Sequence, residues 1–134
     1  MDAEKMLHLA ECDFKVCADL EKHFPQDHAV RAAAFHLQQA VEKMLKSAIR
    51  YNGGVPADTN DIGYLAKQCE PFGIIFDEFI ADTLTLWEMQ SRYETHISFT
   101  QEKYDRAKQA YIDIFQKLEQ DMARNIESGF ELKM

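Results

Sequence analysis

The stretch that decides the fold is Ala33-Ala34-Phe35-His36-Leu37-Gln38-Gln39-Ala40-Val41-Glu42-Lys43-Met44-Leu45-Lys46. Its apolar residues recur at helical spacing, and they form two rows instead of one. The second row runs beside the first through Phe35, Gln38, Glu42, Leu45 and Ile49. A helix that is apolar over more than half of its circumference is typical of the centre of a bundle. Polar groups buried there need hydrogen-bond partners, so Gln38 and Glu42 predict either a central polar network or a contact surface.

Breaks in the helical pattern divide the rest of the chain into elements. The pattern predicts long helices over about residues 3–23, 27–51, 74–93 and 100–126, and a short helix over about residues 61–69. Long helices with short connections predict an all-α, antiparallel up-down four-helix bundle, with one short extra helix between helices 2 and 3. We expect one domain over residues 1–126 and a frayed C-terminal tail over residues 127–134.

Composition and charge narrow the class of protein. The 134 residues are 46% hydrophobic and 28% charged, which suits a soluble globular chain. The net charge of −8 lacks the basic balance that duplex DNA demands, so we expect no duplex DNA partner. No apolar run is long enough to span a bilayer, and no signal peptide is recognisable. The three cysteines are odd in number and widely spaced, which favours buried, reduced thiols in a cytoplasmic protein.

Four stretches, taken in order, resemble the HEPN family, which is named for higher-eukaryote and prokaryote nucleotide-binding proteins. The quoted helix resembles the signature helix of that family. The family's first helix is resembled by Ala10-x-x-Asp13-Phe14-x-x-Cys17. Its Thr-His-Asp-Leu loop is resembled by Thr59-Asn60-Asp61-Ile62-x-x-Leu65, with Asn60 in place of the histidine. Its Ser-Arg-Tyr-Pro motif is resembled by Ser91-Arg92-Tyr93, with Glu94 in place of the proline.

The resemblance implies a HEPN-type helical bundle that forms a homodimer. It also implies a partner, because short stand-alone HEPN proteins are typically encoded beside a minimal nucleotidyltransferase in a toxin–antitoxin-like system. In some such pairs the HEPN protein cleaves RNA, and in others it binds a nucleotide or another small ligand. We expect the chain to be an interaction and ligand-binding subunit, and we keep a metal-independent endoribonuclease as the alternative.

Arg92 and His96 are the candidate catalytic pair of that alternative. A histidine can move the proton of a ribose 2′-hydroxyl, and a nearby arginine can stabilise the charge on phosphorus. The family's nuclease motif has four to six residues between them, whereas only three separate Arg92 from His96. If the helix continued past Tyr93, the two side chains would still share a face. If it ends at Glu94, the nuclease interpretation loses support, and we expect little or no ribonuclease activity.

A second candidate site combines Asp13, Gln38, Glu42 and Arg92, which lie beside apolar stripes on helices that should be neighbours. A buried arginine needs a carboxylate, which Glu42 or Asp13 could supply. Two interpretations stay open: a structural network that fixes helix register, or the floor of a nucleotide or small-ligand pocket. The histidines and cysteines lack metal-ligand spacing, so we expect no metal site and no cofactor.

Overall fold

The computed structural model is an all-helical bundle, described for the backbone of residues 1–133 and for the side chains of residues 1–125. Its elements are α1 (Ala3–Glu21), α2 (Asp27–Tyr51), α3 (Ile62–Cys69), α4 (Glu78–Tyr93) and α5 (Gln101–Lys133), with a 3-10 turn over Glu70–Phe72. The described residues contain no strand, and α3 is the short extra helix, so the predicted fold class is confirmed. The tail predicted over residues 127–134 lies outside the residues whose side chains are described.

Helix α2 lies at the centre of the bundle, because it contacts α1, α3, α4 and α5. Leu45 and Ile49 of the second apolar row are buried, at 0% and 2% exposure. The residues of the first row are buried too, and they are Val30, Ala33, Ala34, Leu37, Val41, Met44 and Ala48. The core of a single chain therefore uses both rows of α2. An exposed apolar surface for a second copy has to come from another helix.

The ends of α2 show how the sequence sets the helix boundaries. Gly53 adopts φ +86°, its N–H donates to the Arg50 carbonyl, and the Gly54 N–H donates to the Ile49 carbonyl. These two bonds satisfy carbonyls that the helix end would otherwise leave unpaired. At the other end Asp27 is the first helical residue, and its carboxylate pairs with Arg31 one turn later at 2.8 Å.

Helix α4 begins four residues later than the apolar pattern predicts. Ile74 and Phe76 are buried while Ile75 is 74% exposed, which is the alternation of an extended segment rather than of a helix. The Asp77 carboxylate then accepts the Ile80 N–H at 2.9 Å and caps the first turn. Phe79, in the first turn of α4, is 54% exposed, although the next residue, Ile80, is only 2% exposed.

Helix α1 buries one face against α2. Leu7, Ala10 and Cys17 are buried, whereas Leu9 and Val16 are 37% and 36% exposed. All three cysteines are free thiols, and Cys12 is exposed, contrary to the expectation that all would be buried. Within the residues described, no helix combines the length and the apolar character that crossing a membrane requires.

Candidate functional site

A chain of hydrogen bonds crosses the bundle from α2 to α4, and it passes through Gln38, whose side chain is fully buried. The Gln38 Nε2 donates to Glu42 Oε1 at 3.2 Å and to the backbone carbonyl of Asn60 at 3.1 Å. The Asn60 Nδ2 in turn donates to Glu88 Oε2 at 3.1 Å. The other oxygen of Glu88 pairs with Arg92 Nε at 3.1 Å. Three predicted site residues, Gln38, Glu42 and Arg92, thus belong to one connected set of contacts.

The α2 end of this chain is a nearly buried ion pair. Lys46 Nζ donates to Glu42 Oε2 at 3.1 Å, and the two side chains are 17% and 14% exposed. Gln39 Nε2 also donates to Gln38 Oε1 at 2.7 Å, so the buried Gln38 amide is satisfied on both its nitrogen and its oxygen. We name the connected set of Lys46, Glu42, Gln38, Asn60, Glu88 and Arg92 the polar chain. Its two cations and two carboxylates balance, so the polar chain itself carries no net charge.

The loop before α3 is positioned by α4, and this brings Asn60 into the polar chain. The Ile62 N–H donates to Thr85 Oγ1 at 3.0 Å, and the Asp61 carboxylate caps α3 by accepting the Tyr64 N–H at 3.1 Å. These two bonds fix the backbone on the C-terminal side of Asn60. Asn60 is the residue that replaces the histidine of the Thr-His-Asp-Leu pattern, and its amide bridges α2 and α4 here.

Arg92 is the exposed end of the polar chain. Its side chain is 49% exposed, and its guanidinium carbon lies 5.5 Å from the centroid of the half-buried Phe35 ring. Only the Nε group is bound to Glu88, and no hydrogen bond among the described residues uses the outer N–H groups of Arg92. A guanidinium recognises phosphate or carboxylate, and an aromatic face can stack on a flat ring.

Asp13 lies apart from the polar chain. Its carboxylate contacts His36 Nδ1 at 2.9 Å and also binds Lys43 Nζ, and its side chain is only 13% exposed. Among the described residues no hydrogen bond joins Asp13 to the other three predicted site residues. Asp13 therefore connects α1 to α2. We expected Asp13 or Glu42 to pair with Arg92, but the carboxylate that pairs with Arg92 is that of Glu88.

Arg92 and His96 do not share a helix. Helix α4 ends at Tyr93, and Glu94 is extended, with φ −108° and ψ 146°. Arg31 holds this turn, because its guanidinium donates to the carbonyl of Glu94 at 2.7 Å and to the carbonyl of Thr95. His96 is exposed and lines a separate open groove of about 450 Å³ with residues of the loops at 24–27 and 95–101.

Three residues of the polar chain, Lys46, Asn60 and Glu88, were not predicted as site residues. Glu88 had a signal, because it lies four residues before Arg92 and directly after the core residue Trp87. For Asn60 the indication in the sequence was weaker. It lies in a recognisable loop motif, but no sequence pattern predicts which helix the side-chain amide of a loop residue will contact. No group of three histidine, cysteine, aspartate or glutamate side chains in the described part of the chain could hold a metal ion.

A second exposed feature is an apolar stripe along α4. It consists of Phe79, Leu86, Met89 and Tyr93, which are 54%, 42%, 38% and 75% exposed. Their spacing of seven, three and four residues places them on one line along the helix, as in a coiled-coil seam. Tyr93, the last residue of the stripe, directly follows Arg92, so the stripe and the polar chain adjoin at the C-terminal end of α4.

Comparison with known proteins agrees with the helical architecture. The family model for the HEPN domain matches residues 3–121, which is nearly the whole chain and includes the polar chain and both ends of α4. No curated protein and no solved structure matches the sequence. The chain belongs to the HEPN domain family.

Proposed function

We propose that this chain is a HEPN-type interaction subunit that binds a nucleotide or a similar small phosphate-bearing ligand at the exposed end of the polar chain. The observation that carries the proposal is Arg92, whose guanidinium is half exposed above the Phe35 ring while Glu88 holds its Nε. A guanidinium fixed at one nitrogen is ordered before a ligand arrives, so binding loses less side-chain entropy.

The remaining groups of the site suit the other parts of a nucleotide. The half-buried Phe35 ring offers apolar surface beside Arg92 for a base, and Gln39, one helical turn after Phe35, carries an amide that can donate and accept hydrogen bonds. Phosphate would approach the outer N–H groups of Arg92. The charges of Glu42 and Glu88 are each paired with a cation, so they repel an anion less than free carboxylates would.

We also propose the homodimer and the minimal nucleotidyltransferase partner that membership of this family suggests. The α4 stripe supports the homodimer, because four large apolar side chains lie exposed along one line of that helix. The nucleotidyltransferase partner rests on the family resemblance alone. Co-expression with the neighbouring reading frame, followed by purification through a tag on one chain, tests it, and a partner that never co-purifies would contradict it.

Ribonuclease activity has less support than binding. The turn at Glu94 removes His96 from the helix that carries Arg92, and Arg31 stabilises that turn with bonds to two carbonyls. Incubation with a mixed RNA pool in EDTA tests the alternative, with His96→Ala as the control. Cleavage by the wild type that is lost in His96→Ala would replace the binding proposal with the nuclease.

Titration with ATP, GTP, CTP and UTP by calorimetry tests the ligand proposal. Arg92→Ala should weaken binding by about ten-fold or more, because a charge-assisted hydrogen bond contributes roughly 1.5–3 kcal/mol. Arg124→Ala is the matched control, since Arg124 also pairs with a carboxylate one helical turn away, at 3.3 Å on α5. Absence of binding by every nucleotide, or an equal loss in both variants, would contradict the proposal.

A further inference from the structure

A long groove runs between α1 and α5. Two adjoining cavities form it, of about 410 Å³ and about 210 Å³, and both are lined by Glu11, Phe115 and Glu119. The two helices meet through large side chains, since the Phe14 and Tyr111 rings stack with their centroids 4.4 Å apart. The Tyr111 and Phe115 rings follow at 5.4 Å. The floor of the groove is therefore a row of three aromatic rings.

This floor is an incompletely satisfied part of the structure. Tyr111 is only 2% exposed, and its hydroxyl has no hydrogen-bond partner among the described residues. Phe14 and Phe115 are packed against the core but remain partly exposed. Because the Tyr111 hydroxyl lies below the surface, it is the partly exposed Phe14 and Phe115 rings that offer apolar surface for another molecule to cover.

The rims of the groove are acidic. Glu4, Glu11 and Glu119 line the groove. Among the described residues that line it, Lys15 is the only lysine or arginine. Lys15 already pairs with Glu11 at 3.6 Å. Glu4 and Glu119 have no cationic partner in the part of the chain whose side chains are described. An apolar floor between acidic rims is complementary to an amphipathic segment with basic flanks.

We propose that the groove between α1 and α5 docks an amphipathic α-helix of a partner protein, with an apolar face on the aromatic floor and lysine or arginine residues on the acidic rims. The lining residues of α1 extend from Glu4 to Ala18, which at the helical rise corresponds to about 21 Å, or four turns of a docked helix. The net charge of −8 would further accelerate the approach of a basic segment.

Other occupants fit the groove less well. A second copy of this chain placed groove to groove would bring the same acidic rims together, and its α4 stripe carries Glu78 and Asp82 beside Phe79, so like charges would meet in both arrangements. Nucleic acid would be repelled by the carboxylates through its phosphates. A basic helix is the occupant for which shape and charge agree.

The test uses fluorescein-labelled peptides of about 14 residues, the four-turn length of the groove, and the full chain. The probe peptide has leucines at helical spacing flanked by lysines, and two comparison peptides either replace lysine by glutamate or scramble the order. Fluorescence anisotropy should show binding of the lysine peptide about ten-fold tighter than that of the glutamate peptide, because several rim pairs change sign at once.

Charge-reversed protein variants locate the binding. Glu119→Lys should weaken the lysine peptide by about five-fold and strengthen the glutamate peptide, as expected for a rim charge. Asp113→Lys, on an exposed position of the same helix, should change neither. Equal binding of the scrambled peptide, or equal effects of Glu119→Lys and Asp113→Lys, would overturn the proposal. Self-association that Glu119→Lys enhances would instead assign the groove to a second copy.

Discussion

Among the single residues of the site, Glu88 joins two elements, because its two oxygens bind Asn60 and Arg92. It is 7% exposed, so its carboxylate is stabilised by these partners rather than by water. Glu88→Ala should lower the free energy of unfolding by about 1–3 kcal/mol, since it leaves a loop amide and an arginine without their acceptor. Urea denaturation measures this. Asp82→Ala, an exposed carboxylate on the same helix, should change stability by less than about 0.5 kcal/mol, and equal losses would contradict the role of Glu88.

Burial of the Cys69 thiol gives the stability a pH dependence. Its Sγ lies 3.6 Å from the Leu45 carbonyl, and burial raises its pKa from the ordinary value of 9.0 to about 12. The folded chain thus keeps this proton at a pH where the unfolded chain has lost it. The resulting stabilisation is complete below pH 9 and is lost as the pH rises from 9 towards 12.

This dependence is measurable against Cys69→Ala, which has no thiol to titrate. The difference in unfolding free energy between wild type and variant should shrink by about 1.4 kcal/mol between pH 8 and pH 10, in favour of the variant. Denaturant melts in the presence of a reductant provide the values. A difference that stays constant over this range would mean that the Cys69 thiol is not protected from ionisation.

Sequence reasoning found residues of the site where a helix face was readable. Gln38 and Glu42 lie in an apolar row, and that row predicted either a central polar network or a contact surface. The hydrogen bonds of both side chains fit the polar network. The same reasoning grouped Asp13 with them, because periodicity gives the face of a helix but not which neighbour the face meets. Asp13 is bonded to His36 and Lys43 on the α1 side of α2, and Asn60 on the other side depends on how a loop is held.

At the scale of elements, the end of α2 depends on the backbone conformation of Gly53. Its φ is +86°, and no atom lies within 4 Å of a Cβ added there. A side chain at this position would therefore strain the backbone but would not clash with a neighbour. Gly53→Ala should destabilise the fold by about 1 kcal/mol, because alanine is strained in the left-handed region. Gly53→Asn should cost less, since asparagine tolerates that region better. Thermal melts test the order, and equal losses would contradict it.

Helix boundaries were predictable where a capping residue and the apolar pattern agree. The glycine pair marks the end of α2 in both the sequence and the structure. The start of α4 was missed because Ile74-Ile75-Phe76 continues the apolar run, although the segment is extended until the Asp77 cap. The cap was the better guide, since a side-chain bond to Ile80 N–H fixes where helical hydrogen bonding begins.

For the whole molecule, the distribution of apolar surface decides how the chain associates. The homodimer that the family resemblance implies needs an exposed apolar surface on one helix. The second row of α2 is occupied by the chain's own core, whereas the α4 stripe is exposed. A two-fold pairing of two α4 helices in antiparallel orientation would cover the stripe in both copies.

Sedimentation at micromolar concentration should therefore give a species of about twice the 15.5 kDa chain mass, as expected for an isologous pair. Leu86→Glu should yield the monomer, because it puts a charge at the middle of the seam. Leu86 is 42% exposed, so this substitution should leave the unfolding free energy of the single chain within about 0.5 kcal/mol. Val55→Glu is the matched control, since Val55 is 74% exposed in the loop after α2 and should leave the dimer intact. A wild-type monomer at these concentrations would contradict the dimer. A dimer that survives Leu86→Glu would move the interface away from the α4 stripe.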